Sequence, residues 1–231
     1  MDCRPECRRN ADTSSYKRRM DRQAPMPQLP VYIVDGCDHF RDSTAAMLTA
    51  RGHAVQGFDS ADAFLAQVAE PDGVLLLDVR LRGRSGLALQ AMVAARPALT
   101  IVFASGGAEV TDALAAMKAG AMDFLVKPVS PRTLVRTVEQ GLSRAAAAAR
   151  VATARANRRA FESLSPAERT LVPLLARGMR SKVIAQRLSK AESTVKNQRV
   201  SVLRKMAARS CFDLASKMED IAGLPPHGLA A

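Results

Sequence analysis

Four short apolar runs, each stopped by a polar residue, constrain this chain more than anything else in it. Residues 31–34 precede Asp35, 74–77 precede Asp78, 100–103 precede Ala104-Ser105-Gly106, and 122–126 precede Lys127-Pro128. Runs of four or five residues rich in Val, Ile, Leu and Phe are too short for buried helices and read as strands. A weaker fifth strand is expected over 53–58. Between them lie helical stretches: 40–50, closed by Arg51-Gly52; 60–68, with Ser60 as N-cap; 85–95; and 110–119, closed by Gly120 as a left-handed C-cap. Pro131 opens a further helix. Strands apolar on both faces need cover on both faces. The pattern therefore predicts an α/β fold, a five-stranded parallel sheet with helices on each side.

In such open sheets the functional crevice lies past the carboxyl ends of the strands. The groups at those ends are Asp35, Asp78, Ser105 and Lys127. One Asp after a strand is commonly only a turn former. Two carboxylates, a hydroxyl and an ammonium at four such positions point to chemistry, and they suit phosphoryl transfer to a carboxylate. Asp78 would accept the group as an acyl phosphate. Asp35 would help hold Mg²⁺, which takes oxygen ligands. Lys127 would pair with the added dianion and Ser105 would donate to one of its oxygens.

The stretches carrying these groups are Val-Asp35-Gly-Cys-Asp38, Leu-Leu-Leu-Asp78-Val-Arg-Leu-Arg-Gly-Arg-Ser-Gly, Ala-Ser105-Gly and Asp-Phe124-Leu-Val-Lys127-Pro. Over about residues 30–145 they resemble the receiver domain of bacterial response regulators. The resemblance implies a flavodoxin-like sheet and phosphorylation of Asp78 by a partner histidine kinase. It also implies a switch involving Lys127, Ser105 and Phe124, the last two moving together. One position departs. The family has two adjacent acidic residues after the first strand, the second usually a direct metal ligand, and here that residue is Gly36. Asp38 is the nearest substitute among the metal candidates Asp35, Asp78 and Asp38, but its side chain leaves the chain in another direction. A weakened Mg²⁺ site is expected, and the alternative is a degenerate receiver that works without phosphorylation. Phosphatases of the haloacid-dehalogenase type also use a strand-end Asp, but they place a second Asp two residues later as general acid. Here that residue is Arg80, which does no acid–base work near neutral pH. No glycine-rich phosphate loop follows the first strand. Enzymatic turnover of its own is not expected.

Charge separates a second unit. The 231 residues carry a net +12, yet residues 30–141 hold 10 basic against 12 acidic residues, and 142–231 hold 17 against 6. A basic excess gathered at one end predicts a polyanion partner there. Residues 142–161, with the alanine run 145–149 and several arginines, read as a helical linker. Ser165-Pro166-Ala167-Glu168 is a helix start with a capping box and Pro at N1. Leu171, Leu174 and Leu175 form its apolar stripe and Gly178 ends it. Ser181 is expected to cap a second helix carrying Ile184, Ala185 and Leu188. A third, from Glu192 to Met206, has Val195, Val202, Leu203 and Met206 on one face and Lys196, Asn197, Val200 and Arg204 on another. Phe212, Leu214 and Ala215 are expected to pack beneath as a closing helix. Two short helices joined by a tight turn, with a basic face on the second, describe a helix-turn-helix.

The stretches Leu-Ser-Pro-Ala-Glu168-Arg, Leu-Leu-Ala-Arg-Gly178-Met, Ser-Lys182-Val-Ile-Ala-Gln-Arg-Leu and Ser-Thr194-Val-Lys196-Asn-Gln-Arg199 resemble the LuxR-type DNA-binding domain. A receiver followed by this domain is the order of FixJ/NarL-type regulators. The resemblance implies that Lys196, Asn197 and Val200 face the major groove of double-stranded DNA. Lys182, Thr194 and Arg199 become candidate phosphate contacts, Arg204 shares the basic face, and the active species is a homodimer. This half departs from the pattern too. Pro173 lies mid-helix, where it should cost about 3 kcal/mol or impose a kink. Lys190 stands where an apolar residue is usual, and Ala191 where a capping Ser is, a loss of about 1 kcal/mol.

The expected organisation is a disordered basic tail (1–29, with Met20 and Met26 as alternative starts), a receiver (30–141), a linker (142–161), a DNA-binding domain (162–222) and a flexible tail (223–231). Cys3 and Cys7 lack the neighbouring His or Cys of a metal site, and the four cysteines form no disulfide framework. No apolar run approaches the ~18 residues of a membrane span, and the N-terminus lacks a secretory signal, so a cytoplasmic protein is expected. The leading reading is a DNA-binding transcriptional response regulator. A reading from another class is a protein-interaction or phosphate-sink module whose basic end only solubilises it, and salt-dependent DNA binding separates the two.

Overall fold

The computed structural model describes residues 29–224, apart from residue 108. The expected tail over 1–28, with Cys3 and Cys7, and residues 225–231 lie outside the described residues. Five strands, β1 (Val31–Val34), β2 (Val55–Phe58), β3 (Gly73–Leu77), β4 (Leu99–Ser105) and β5 (Asp123–Val126), form one parallel sheet in the order β2-β1-β3-β4-β5. Four helices join them: α1 (Asp38–Thr49), α2 (Ala61–Gln67), α3 (Gly86–Val93) and α4 (Val110–Lys118). The period-two alternation of strand side chains divides the core. Tyr32, Val34, Leu75, Leu77 and Phe103 pack with Phe64 and Leu89 on one face. Val31, Ile33, Val74, Leu76 and Val102 pack with Leu48, Leu134 and Val138 on the other. Apolar runs that looked featureless in one dimension thus serve two cores at once.

The strand order places the site. The chain turns outward from β1 to β2 and then returns to β3, so the topological switch lies between β1 and β3. Val34 is in register with Leu77, so Asp35 and Asp78 leave the sheet side by side. β4 starts one residue before the apolar run 100–103 and continues two residues past it. Ser105 is its last residue, paired with Val126, and its carbonyl accepts from the Lys127 N–H at 3.0 Å. The predicted caps at Ser60 and Gly120 are present, the first accepting from the Ala63 N–H, the second with φ +93°.

A 32-residue helix, α5 (Pro131–Glu162), starts on a Ser130 cap and runs about 48 Å. Its first half covers the β3 and β4 face, and its second half packs on α9 (Cys211–Ala222), where Asn157 donates to Asp220. The remaining helices are α6 (Pro166–Ala176), α7 (Ser181–Arg187) and α8 (Glu192–Lys205). Leu171, Leu175, Ile184, Val195, Val202, Met206 and Leu214 form their shared core. The helix carries through Pro173 despite the lost amide.

Two expectations are corrected here. Ser181 does not cap α7; it is the helix's first residue, and the cap position falls on Arg180, whose side chain makes no capping bond. Phe212 does not pack beneath the domain but is 76 % exposed. It stands two residues from the buried Leu214, and residues at i and i+2 point about 200° apart on a helix, so one of the pair had to face out.

Gly86 shows how tightly α3 is set against the site. A Cβ there would lie 2.1 Å from the Asp78 carbonyl oxygen. Gly86→Ala should lower stability by about 1–3 kcal/mol by forcing this backbone contact apart. Urea unfolding of the variant against the parent protein checks it, and an unchanged midpoint would refute the contact.

Candidate functional site

Three charged side chains meet past the strand ends. The Asp35 carboxylate, 2 % exposed, lies 2.5 Å from the Lys127 ammonium, and the Asp78 carboxylate, 14 % exposed, lies 3.5 Å from it. Asp35 reaches that point because it directly follows the buried β1, and its other oxygen accepts from the Cys37 N–H at 2.9 Å, an Asx turn that steers the chain into α1. Asp78 holds its own loop similarly, accepting from the Arg80 N–H at 3.2 Å. Lys127 comes from the far side, past β5, with its ammonium 3.9 Å from the centroid of the Phe40 ring. Ser105 lies buried at the end of β4. Phe124, half-buried, stacks on Phe103 at 5.9 Å between centroids and 16° between planes. The crevice thus gathers Asp35, Asp78, Lys127 and Ser105, with Phe124 on the strand beside it.

Asp38 is not part of that group. It opens α1 with 80 % of its side chain exposed and pairs with Arg41 at 2.5 Å. Arg41 also donates to the Asp35 carbonyl at 2.7 Å, and the Asp38 bond raises its pKa. The stem of Arg41 lies against β2 where Gly57 has no side chain, its Cδ 3.1 Å from where a Cβ would stand. Sequence reasoning missed Arg41, whose stem on α1 packs over Gly57 of β2, and a glycine inside a strand was its only signal. At Gly36 a Cβ would meet nothing within 4 Å, so the space of the family's second carboxylate is there and the carboxylate is not. Among the described residues no three acidic, His or Cys side chains converge as a metal cluster. Two carboxylates already joined through an ammonium do not fit Mg²⁺ as the family pattern would supply it.

The second candidate surface is α8. Val195 and Val202 turn inward, while Thr194, Lys196, Asn197, Val200 and Arg204 are exposed and Arg199 is half-buried. Lys196 pairs along the helix with Glu192 at 2.9 Å. Lys182 is exposed in the first turn of α7. Ala191 provides no side-chain cap, as its methyl group dictates, and the half-buried Lys190 donates to Gln198 at 3.4 Å.

What holds α8 in place was invisible in the sequence. Glu168 completes the predicted capping box, accepting from the Ser165 N–H at 2.8 Å. The same buried carboxylate also accepts from Ser201 at 2.6 Å and Lys205 at 2.8 Å, both on α8. A local cap residue therefore ties α6 to the basic helix.

Comparison with known proteins matches residues 31–139 to the family described as "Response regulator receiver domain" and residues 162–218 to "Bacterial regulatory proteins, luxR family". The chain is 37 % identical over 205 residues to the transcriptional regulatory protein FixJ of Azorhizobium caulinodans, covering 87 % of this chain and 97 % of that one. Among solved structures it resembles the response regulator StyR, with a TM-score of 0.55 at 34 % identity over 82 % of this chain and 98 % of that one. It also resembles full-length FixJ from B. japonicum, with a TM-score of 0.50 at 32 % identity over 87 % of this chain and all of that one.

The Glu168 network has a pH signature. Bonds from Lys205, then Ser201, then the Ser165 N–H lower its pKa from the ordinary 4.5 to about 2. A carboxyl depressed in the folded state contributes stability fully above its unfolded pKa and loses it as pH falls through the folded value. The stability difference between the parent chain and Glu168→Gln should be constant above about pH 5 and shrink steadily from there toward pH 2. Denaturant melts of both proteins across that range test this, and a difference independent of pH would remove the charge from the account.

Proposed function

As a member of the family of DNA-binding transcriptional response regulators that join a receiver domain to a LuxR-type domain, this protein has a binding output, and we propose that phosphorylation of Asp78 controls it. The observation that carries the proposal is the Lys127 ammonium held between Asp35 and Asp78 at the end of the sheet. A receiver domain implies a histidine kinase partner, and the LuxR-type domain implies DNA. Among the described residues no helix is long and apolar enough to cross a membrane. The alternative of a degenerate, phosphorylation-independent receiver gains no support from the family assignment.

In this reading Asp78 takes the phosphoryl group from the kinase, and Lys127 shifts from bridging two carboxylates to pairing with the new dianion. Phosphorylation adds about 1.5–2 negative charges to a crevice whose two carboxylates now share one ammonium, which is enough to bias a two-state domain. Ser105 answers by donating to a phosphoryl oxygen, and Phe124, stacked on Phe103 in the adjoining strand, moves with it. Receiver domains generally bind Mg²⁺ for this reaction. Here Asp35 and Asp78 are bridged by Lys127 and residue 36 carries no carboxylate, so the residues present fit the ion poorly.

The output half binds double-stranded DNA as a homodimer. Lys196, Asn197 and Val200 enter the major groove, and Lys182, Thr194 and Arg199 hold phosphates, with Arg204 further along the same face. The units are the receiver at 30–141, the linker at 142–161 and the DNA-binding domain at 162–222.

Asp78→Asn should abolish incorporation of phosphate from acetyl phosphate, read as a mobility shift on a phosphate-affinity gel, and undiminished labelling would move the acceptor elsewhere. Lys196→Ala with Arg199→Ala should weaken DNA binding and flatten the plot of log affinity against log salt by about one unit for each phosphate contact removed. Indifference of the salt slope to these substitutions, measured on selected genomic fragments, would take α8 out of the interface.

A further inference from the structure

Beside the crevice stands one cation that no carboxylate pairs with. Arg41, Arg84 and Arg96 around the receiver each pair with an acid, namely Asp38, Asp62 and Glu70. Arg80 does not. Its N–H is bonded to the Asp78 carboxylate, two residues back, but its guanidinium has no ion-pair or hydrogen-bond partner among the described residues. The residue is exposed. It lies against Gly107, two residues past Ser105, with Nη1 3.5 Å, Cζ 3.6 Å and Nε 3.8 Å from where a Cβ would stand. The bare backbone of Gly107 leaves room for the guanidinium on the loop that follows Ser105.

The opposite side of the crevice lacks a negative charge, since Gly36 carries no side chain and Asp38 is paired outward to Arg41. A site with one carboxylate fewer and one unpaired guanidinium more is closer to neutral before any ion arrives. The charge that a divalent cation normally has to cancel is smaller here, and part of the means to cancel it is already attached to the chain. Guanidinium is also the side-chain group best shaped to hold phosphoryl oxygens, through parallel N–H bonds.

We propose that Arg80 is a phosphoryl-binding residue that holds oxygens of the incoming group at Asp78, so that phosphorylation of this chain proceeds without a divalent cation. The inference rests on the assignment of Asp78 as phosphoacceptor. In the step, an Asp78 oxygen forms a bond to the phosphorus of an acyl phosphate, the bond from phosphorus to the acyl oxygen breaks, and its electron pair leaves with the carboxylate. No proton or other reactant is needed. Arg80 and Lys127 bracket the transferred group, Arg80 from the Gly107 loop and Lys127 from the end of β5.

The test is the rate of covalent phosphorylation of the full chain by acetyl phosphate, followed by intact mass, in EDTA and in excess Mg²⁺. The parent chain should be modified in EDTA at a rate within about tenfold of that in Mg²⁺, whereas Arg80→Ala should lose about tenfold or more of the EDTA rate, the size of a charge-assisted hydrogen bond. Arg80→Lys keeps the charge without the fork and should fall between them. Gly36→Asp, which has room for its side chain, should lose the EDTA rate and become dependent on Mg²⁺. Arg84→Ala, which breaks a surface pair with Asp62, should match the parent in both conditions. Modification of the parent only in Mg²⁺, or an Arg80→Ala rate in EDTA equal to the parent's, overturns the role of Arg80 and leaves Asp78 as acceptor. No modification in either condition overturns both.

Discussion

Everything at the working end of the sheet depends on one ammonium between two carboxylates. Asp35 and Asp78 leave neighbouring strands in register, so the topology forces two like charges together in a place that water reaches poorly. Such a pair is costly unless a cation sits between its members. Lys127 supplies it from β5, reaching past β4, so the bridge forms only when the strands from β1 to β5 are assembled. Charge balance and sheet order are the same constraint. A bridge that closes only in the finished fold is also one that a new dianion can reopen.

The long helix α5 belongs to both halves of the chain. Its first half is part of the sheet's cover through Leu134 and Val138, and its second half is tied to α9 through Asn157 and Asp220. No break in the helix separates these two duties. In the helix-turn-helix, Glu168 plays a comparable double part, ending one helix's unsatisfied amides and anchoring the basic helix through Ser201 and Lys205. Lys205 makes that contact while still exposed, so not every cation of the basic end is unpaired.

Much of this was legible in one dimension because it is local. Strand runs of Val, Leu and Ile, the caps at Ser60, Ser165 and Gly120, and the two faces of α8 follow from spacing and residue type, and the structure has them. Ser181 and Phe212 were misread because a cap depends on the dihedral angles of the residue before the helix, and because two large apolar residues at i and i+2 look alike without a helix phase. The site residues Asp35, Asp78, Ser105 and Lys127 could be named from strand ends alone. Arg41, Arg80 and the Glu168 network could not, since each depends on a partner distant in the chain, at Gly57, at Gly107, and at Ser201 with Lys205.

The sequence by itself determined the alternation of strands and helices, the polar group at each strand end, the gathering of positive charge in the last third, and the absence of a carboxylate at residue 36. These are properties of residue type and of spacing along one element. Only the tertiary structure decided how the charges are shared: Asp35 and Asp78 to Lys127, Asp38 to Arg41, Glu168 to Lys205, and Arg80 to none. Pairing falls off within a few ångströms, and only the folded chain sets distances on that scale between residues tens of positions apart.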